Sequence, residues 1–260
     1  MNFIYIWKYN LLSALSYRVS FLMQTGFMII NNIFFIYIWY LFFQRFHTIG
    51  WLTFEEYIPL FAFFGMLFAF VYIFAGGFQY INQRIRNGEI DSELLLPGSL
   101  LLRLCTSSIS ISAIGDAIFS IVVLFVLTPN IITPFFLFKF FFMGILGGIT
   151  FLGIAIVYHS LAFYIRSSSR IAENASDAIF GPSFYPQSIF EWSAMKIIYL
   201  TVFPAFFITY YPYNFLMNSM DVSSLLLTIF GVVFFFSFGS FVFYHGLRRY
   251  ESGNIVQVRV

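Results

Sequence analysis

The sequence predicts an all-α, polytopic membrane protein with six transmembrane helices, an N-terminal interfacial helix and a short helix in a cytoplasmic loop. Three observations carry this reading. First, the 260 residues are 60% hydrophobic and 23% aromatic but only 9% charged, with a mean hydropathy of +0.87. A soluble domain carries about 25% charged residues. So few charges cannot cover a water-soluble globule, so lipid must solvate much of the surface. Second, apolar runs of about 20 residues, long enough to span a bilayer, recur between charged intervals. Third, the basic residues segregate to alternate loops. The net charge of +2 implies no nucleic-acid partner, and the single cysteine, Cys105, excludes an internal disulfide.

Residues 1–20 mix Trp7, Lys8, Tyr9, Tyr17 and Arg18 with Phe3, Ile4, Leu11, Leu12 and Leu15 at roughly helical spacing. Aromatic rings suit the headgroup level, so this stretch reads as a helix lying on the cytoplasmic leaflet. It lacks the short apolar core and small-residue cleavage site of a signal peptide. Phe21 to Phe43 is the first predicted span, followed by an outer loop with Arg45, His47, Glu55 and Glu56. Tyr57 to Gln79 returns the chain to the cytoplasm. Gly65 and Ala69, four apart, allow close contact with a neighbouring helix.

The loop over 83–103, QRIRNGEIDSELLLPGSLLLR, is the longest charged interval. Arg84, Arg86 and Arg103 hold it on the positive, cytoplasmic side. Asn87-Gly88 ends one helix, and Glu89 to Leu96 forms another that Pro97-Gly98 stops. Glu89, Asp91 and Glu93 sit near its N-terminus, where the helix dipole favours negative charge. Ile90 and Leu94 are expected on one face, with Leu95 beside them, as a small apolar patch that no span buries.

The third span is expected over Cys105 to Leu127, rich in serine and carrying Asp116 in its middle. An aspartate there is costly in lipid, so it is expected to face the bundle interior, a partner subunit or a watery path. The fourth span runs from Phe135 to about Tyr164, with Gly144, Gly147, Gly148 and Gly153 giving a smooth face for a close neighbour. Residues 171–217 admit two readings. In one, 171–190 is a fifth span bearing Glu173 and Asp177, and 191–216 is a re-entrant outer hairpin broken by Pro204 and Pro212. In the other, 171–195 is cytoplasmic and 196–217 is the span. Both readings put the final span at about Ser223 to Tyr244.

Lys8, Arg18, Arg84, Arg86, Arg103, Arg166, Arg170, Arg248, Arg249 and Arg259 fall inside, ten of the thirteen basic residues. That bias places both termini in the cytoplasm and demands an even number of crossings. The chain has no GxxxxGK[ST] phosphate loop, no HExxH and no Cys/His cluster, so no ATP site is expected on it. His159 and His245 lie near cytoplasmic ends of spans, but two histidines do not complete a metal site. No base is placed beside any serine of the third span, so catalysis lacks support.

The run RIRNGEIDSELLLPGSLLLR resembles the ATP-binding-cassette (ABC) type-2 exporter permeases. The family's segment Arg-x-Gly-x-(Leu/Ile)-acidic-x-x-Leu-x-x-Pro is matched by Arg86, Gly88, Ile90, Asp91, Leu94 and Pro97, with Leu95 between the last two. YPQSIF (Tyr185 to Phe190) with FPAFFITYYP (Phe203 to Pro212) is similar to the family's outer proline-rich hairpin. The ending GLRRYESG is a third match. The resemblance spans nearly all of residues 1–260, read as one permease domain. It implies the first topology, with a re-entrant hairpin over 191–216.

It further implies that the helix around Glu89, Ile90, Asp91, Glu93, Leu94 and Leu95 is a coupling helix docking on a separate ATPase. The working unit would hold two ABC ATPase subunits, which bind ATP and magnesium, and a second permease as homodimer or heterodimer. It would sit multi-pass in the plasma (inner) membrane. The cargo would be an amphiphilic, lipid-like, glycan or drug-like molecule entering from the cytoplasm or inner leaflet. Asp116, Glu173 and Asp177 are the candidate translocation-path or interface residues. The rival reading is an ATP-independent secondary transporter or channel that uses those carboxylates, although no inverted repeat is evident.

Overall fold

The computed structural model describes residues 3–49, 52–165, 168–185, 187–190 and 193–251. Among them the chain is helical, with no β-strand beyond one isolated bridge between Ile49 and Leu52. α1 (Phe3–Ser16) is separated from α2 (Arg18–Phe46) by a break at Tyr17. α1 is fastened to the rest through its polar atoms. The Trp7 indole donates to the Ile73 carbonyl at 2.9 Å and stacks on Phe74, and the Asn10 amide donates to the Thr106 carbonyl at 3.1 Å.

α3 (Phe54–Ala75) begins with a capping box, in which Thr53 and Glu56 satisfy each other's backbone amides. A tight helical turn at 76–80 carries it into α4 (Ile81–Asn87). α5 (Ile90–Leu94) and α6 (Leu100–Thr106) follow. α7 (Ser112–Leu127) is 16 residues long. α8 (Pro134–Ser160) starts from Thr133, whose hydroxyl accepts from the Phe136 amide, with Pro134 at its first position. α9 (Ser168–Phe184), α10 (Ser193–Thr201), α11 (Tyr211–Met217) and α12 (Val222–Leu247) complete the order.

Four helical stretches are long and apolar enough to cross a membrane: Arg18–Phe46, Phe54–Asn87, Pro134–Phe163 and Val222–Leu247. The pair Ala194–Thr201 and Phe206–Met217, bent by 74°, makes a fifth if counted as one broken span, or else a re-entrant loop. The expected six spans are thus four to five by length and composition. The shortfall lies in the third and fifth. α9 is a helix, as the first topology requires, but its composition is too polar for a span by this measure. Its Ala172, Ala175, Ile179 and Ser183 form a buried stripe against the bundle.

The expected continuous third span over Cys105 to Leu127 is corrected. α6 ends at Thr106 and α7 begins at Ser112, with a non-helical link between them. Serine supplies the reason, because its hydroxyl offers backbone groups an alternative to the helix ladder. The Ser107 hydroxyl donates to the Leu104 carbonyl at 2.7 Å, and the Ser110 amide donates across to the Tyr72 carbonyl at 3.0 Å. Asp116 is consequently the fifth residue of α7, about one helical turn past the break.

α3 and α8 form the centre, with 72% and 61% of their apolar windows buried, whereas α2 and α12 lie outside at 17% each. Phe63, Phe78, Phe140 and Phe151 are fully buried between the central helices. A second aromatic cluster joins Trp39 and Phe43 of α2 to Tyr57 and Phe61 of α3 and Phe119 of α7. The glycines of α8 meet neighbours within this chain. A Cβ on Gly147 would lie 2.2 Å from the Ile208 carbonyl oxygen, and one on Gly153 would lie 2.5 Å from the Phe235 carbonyl carbon in α12. At the outer ends, buried Lys139 donates to the Leu216 carbonyl and the Ser219 hydroxyl, both at 2.7 Å, capping α11. Asp221 caps α12, and hydrogen bonds from Ser223 and Ser224 hold its carboxyl down at about 2.

These contacts predict that Gly153→Ala drives α8 and α12 apart. Overpacking of this kind costs about 1–3 kcal/mol. The detergent-solubilised protein should melt several degrees lower by scanning fluorimetry. Gly26→Ala, where a Cβ meets nothing within 4 Å, should melt like wild type.

Candidate functional site

Two regions carry the polar chemistry. The first is a knuckle built by α4, α5 and α6. α4 stops because Gly88 takes a left-handed conformation at φ 75°, which a side chain would resist. The Glu89 amide then donates back to the Arg84 carbonyl at 3.0 Å. The Asn87 amide donates to the Glu89 carboxylate at 2.9 Å, and the Ser92 hydroxyl donates to the Glu89 carbonyl at the same distance. Gly98, at φ 102°, turns the chain into α6, where the Ser99 hydroxyl accepts from the Leu102 amide.

Arg103 clamps the turn from within. It is 9% exposed. Its Nη1 donates to the Pro97 carbonyl at 2.9 Å and the Gly98 carbonyl at 3.3 Å, its Nε to the Glu93 carboxylate at 3.3 Å, and its Nη2 to the Glu93 carbonyl. Arg84 reaches the other Glu93 oxygen at 3.8 Å. One planar guanidinium thus fixes both ends of the loop over 93–98, which the single charge of a lysine would not do. The C-terminal end of α12 braces the knuckle from outside, because Ser99 and Tyr244 share a hydrogen bond at 2.9 Å. Burial and the neighbouring Asp91 carboxylate together push the Tyr250 phenol up to about 12.

The expected exposed face of Ile90 and Leu94 is corrected here. Ile90 is fully buried and anchors α5 to the core. The exposed apolar patch is Leu94, Leu95 and Leu96, at 48%, 86% and 50%. Glu93 and Asp91 turn toward Arg103 and Tyr250, and Glu89 stays on the surface. Sequence reading missed Leu96 as a member of the patch, and took Arg103 only as a topological charge.

The second region is a cleft of about 440 Å³ between α2, α3 and α7, with Phe184 of α9 at its edge. Asp116 lies on its wall and accepts a hydrogen bond from Asn32 Nδ2 at 2.6 Å. Gly115 makes this contact possible, since a Cβ there would lie 2.6 Å from the Thr25 carbonyl oxygen of α2. Asn31, Gln79, Ser110, Ser112 and Ser120 also line the cleft. Asp116 therefore faces a neighbouring helix and a cavity. The side chains of Glu173 and Asp177 lie outside the described residues. The Asn31-Asn32 pair inside an apolar span was a legible signal for this site, because polar groups at membrane depth seek partners. His159 is buried against Phe78, and His245 is exposed and stacked on Phe241. Among the described residues no three His, Cys, Asp or Glu side chains could hold a metal ion.

Removing the guanidinium by Arg103→Ala takes the side-chain donor from the Pro97 and Gly98 carbonyls and the cation from the Glu93 carboxylate, while the Glu93 carbonyl keeps the Leu96 amide. A hydrogen bond of this kind contributes about 0.5–1.5 kcal/mol net, and the turn loses several at once. Limited proteolysis of the purified protein should then cut within residues 88–99 at least ten times faster than in wild type. Arg103→Lys should restore only part of the resistance, since one ammonium cannot span the same acceptors.

The apolar helices mark a multi-pass membrane protein. A sequence model of the family described as ABC-2 family transporter protein matches residues 27–253. Neither a curated protein nor a solved structure matches the chain. The matched stretch takes in the knuckle, the cleft and, among the described residues, every long apolar helix, α2 from residue 27 onward. On that coverage the chain belongs to the ABC-2 transporter family and is a membrane permease of that class.

Proposed function

We propose that this permease is the transmembrane subunit of an exporter powered by separate ABC ATPase subunits, and that the knuckle is where they dock. The observation that carries the proposal is the patch Leu94–Leu96, apolar and exposed on a turn that Arg103 and Ile90 hold rigid. A flexible loop would absorb a push, whereas a braced one transmits it. α4 leads directly into α3, and Ser99 meets α12 through Tyr244. Closure of the ATPases around ATP and magnesium would move the knuckle, and with it α3 and α12. The result is a population shift between two membrane arrangements, driven by the different affinity of ATP for each.

In this reading two ATPases meet two permeases, the second permease being a copy of this chain or a relative. The α6–α7 unit is the third crossing and α9 the fifth, and the bent α10–α11 pair is the outer re-entrant hairpin. Six crossings leave both termini in the cytoplasm, as the basic residues favour. The cargo is amphiphilic, in the class of lipid-like, glycan or drug-like molecules, and leaves from the cytoplasm or inner leaflet. The ATP-independent alternative draws support from the Asp116 cleft alone. It requires transport by the permease without its ATPase.

Docking is tested by Leu94→Asp and Leu95→Asp. Burying one leucine is worth about 1.5–3 kcal/mol, so each change should weaken ATPase recovery on tagged permease by roughly ten- to a hundredfold. Cargo export should be lost while membrane insertion stays normal. Glu55→Lys, at the other end of α3, should bind and transport like wild type. Wild-type recovery by both leucine variants would reject the docking surface.

Topology has its own check. In spheroplasts, Met220→Cys should react with an impermeant maleimide at once, and Leu95→Cys only after the membrane is opened. Cys105 is buried and adds little background. The reverse order of labelling would invert the proposed orientation.

A further inference from the structure

The geometry points to the cleft between α2, α3 and α7 as a binding site for an organic cation, with Asp116 as the counter-ion. This deepens the exporter reading and rests on it only in taking the ligand as cargo. Asp116 places a carboxyl group on the wall of the cleft, and a bound cation would favour its ionised form. One of its oxygens accepts from Asn32. Among the described residues no cationic side chain pairs with it. A carboxylate at membrane depth is ordinarily matched by a positive group or a watery path. Here the protein leaves that match to something else.

The walls say what the match would be. Phe64, Phe68 and Tyr72 of α3, Phe119 of α7 and Phe35 of α2 line the cleft around the carboxylate. Ring faces attract cations, and most strongly where water is scarce. Among the described residues the site has one carboxylate and seven aromatic rings, Phe61 and Phe184 included, and it favours a bulky cation that is weakly hydrated, such as a quaternary ammonium, phosphonium or protonated aromatic amine. It disfavours an anion, which the carboxylate repels. The volume of about 440 Å³ falls within the usual range for drug-sized ligands, about 300–1,000 Å³. Asn32 gives the carboxylate a fixed orientation, because Gly115 lets α2 approach closely enough to form the bond. Gln79, Ser110 and Ser112 line the end nearest the knuckle. A cation could shed its water there in steps.

The test is equilibrium binding of radiolabelled tetraphenylphosphonium to the purified chain in phosphatidylcholine nanodiscs, corrected with empty discs. Triphenylphosphine oxide, neutral and built from the same rings, is the reference ligand. Wild type should bind the phosphonium at least tenfold more tightly than the oxide. Asp116→Asn keeps the size of the side chain and its bond to Asn32. It should lose at least tenfold in phosphonium affinity, leave oxide binding unchanged and melt like wild type. Phosphonium should also raise the melting temperature of wild type while the oxide does not, a readout that holds even where the variant misfolds. Equal binding of the two ligands by wild type overturns the proposal. So does phosphonium binding that is untouched in a well-folded Asp116→Asn, which would leave Asp116 as a structural partner of Asn32. No ATPase is present in this assay, so failure here leaves the exporter reading standing. Conversely, failure of ATPase recovery leaves the cation site standing.

Discussion

The backbone of Gly76 lies against the non-helical link between α6 and α7 and that of Gly77 against the end of α6, and both polar regions hang from that contact. A Cβ on Gly77 would lie 2.1 Å from the Leu104 carbonyl oxygen, and one on Gly76 would lie 3.1 Å from that of Ser108. At Gly77 a side chain would collide with that backbone, and at Gly76 the neighbouring backbone would have to shift by a few tenths of an ångström. On one side of the contact the chain runs through α4 and α5 to the knuckle. On the other it enters α7 and reaches Asp116 within a few residues. The Ser107 hydroxyl meets the Leu104 carbonyl and the Ser110 amide meets that of Tyr72, so the helix can stop there without stranding these polar groups. The knuckle and the cleft are therefore neighbours across one junction.

The arginine clamp has a physical cost that explains its form. A buried guanidinium must satisfy most of its donors. Arg103 does so with three carbonyls and one carboxylate, all within residues 93–98. The leucines are left outside because the interior of the turn is already filled by polar groups and by Ile90. Exposure of Leu94–Leu96 is thus a consequence of how the turn is held together, and a partner that covers it need not remodel the loop.

The glycines of α8 show how helices associate where lipid is as apolar as a side chain. Burial gives little driving force between helices in that medium, so close van der Waals contact has to supply it. Gly147 admits the Ile208 backbone, Gly148 admits α3, and Gly153 admits α12, where Gly239 answers it. These contacts make α8 the axis of the bundle and remove any need for a second chain to explain its smooth face.

The sequence by itself determined which stretches are helical and apolar, where α4 stops at Asn87-Gly88, and where Pro97-Gly98 turns the chain. It also carried enough of the family's pattern to be recognised. These are local properties, summed over neighbours in the chain. It did not determine the break between α6 and α7, because serines in an apolar run are compatible with a helix until Gly76 and Gly77 offer them a seat. Nor did it determine that Ile90 points inward while Leu95 does not. A one-turn helix has too few residues for periodicity to choose a face. The partner of Asp116 was equally hidden. Asn32 lies 84 residues away, and hydropathy does not say which side of a span faces protein when lipid and core are equally apolar. Tertiary packing decided these points because each depends on the distance between two helix backbones, which the glycines permit but which the chain's order does not specify.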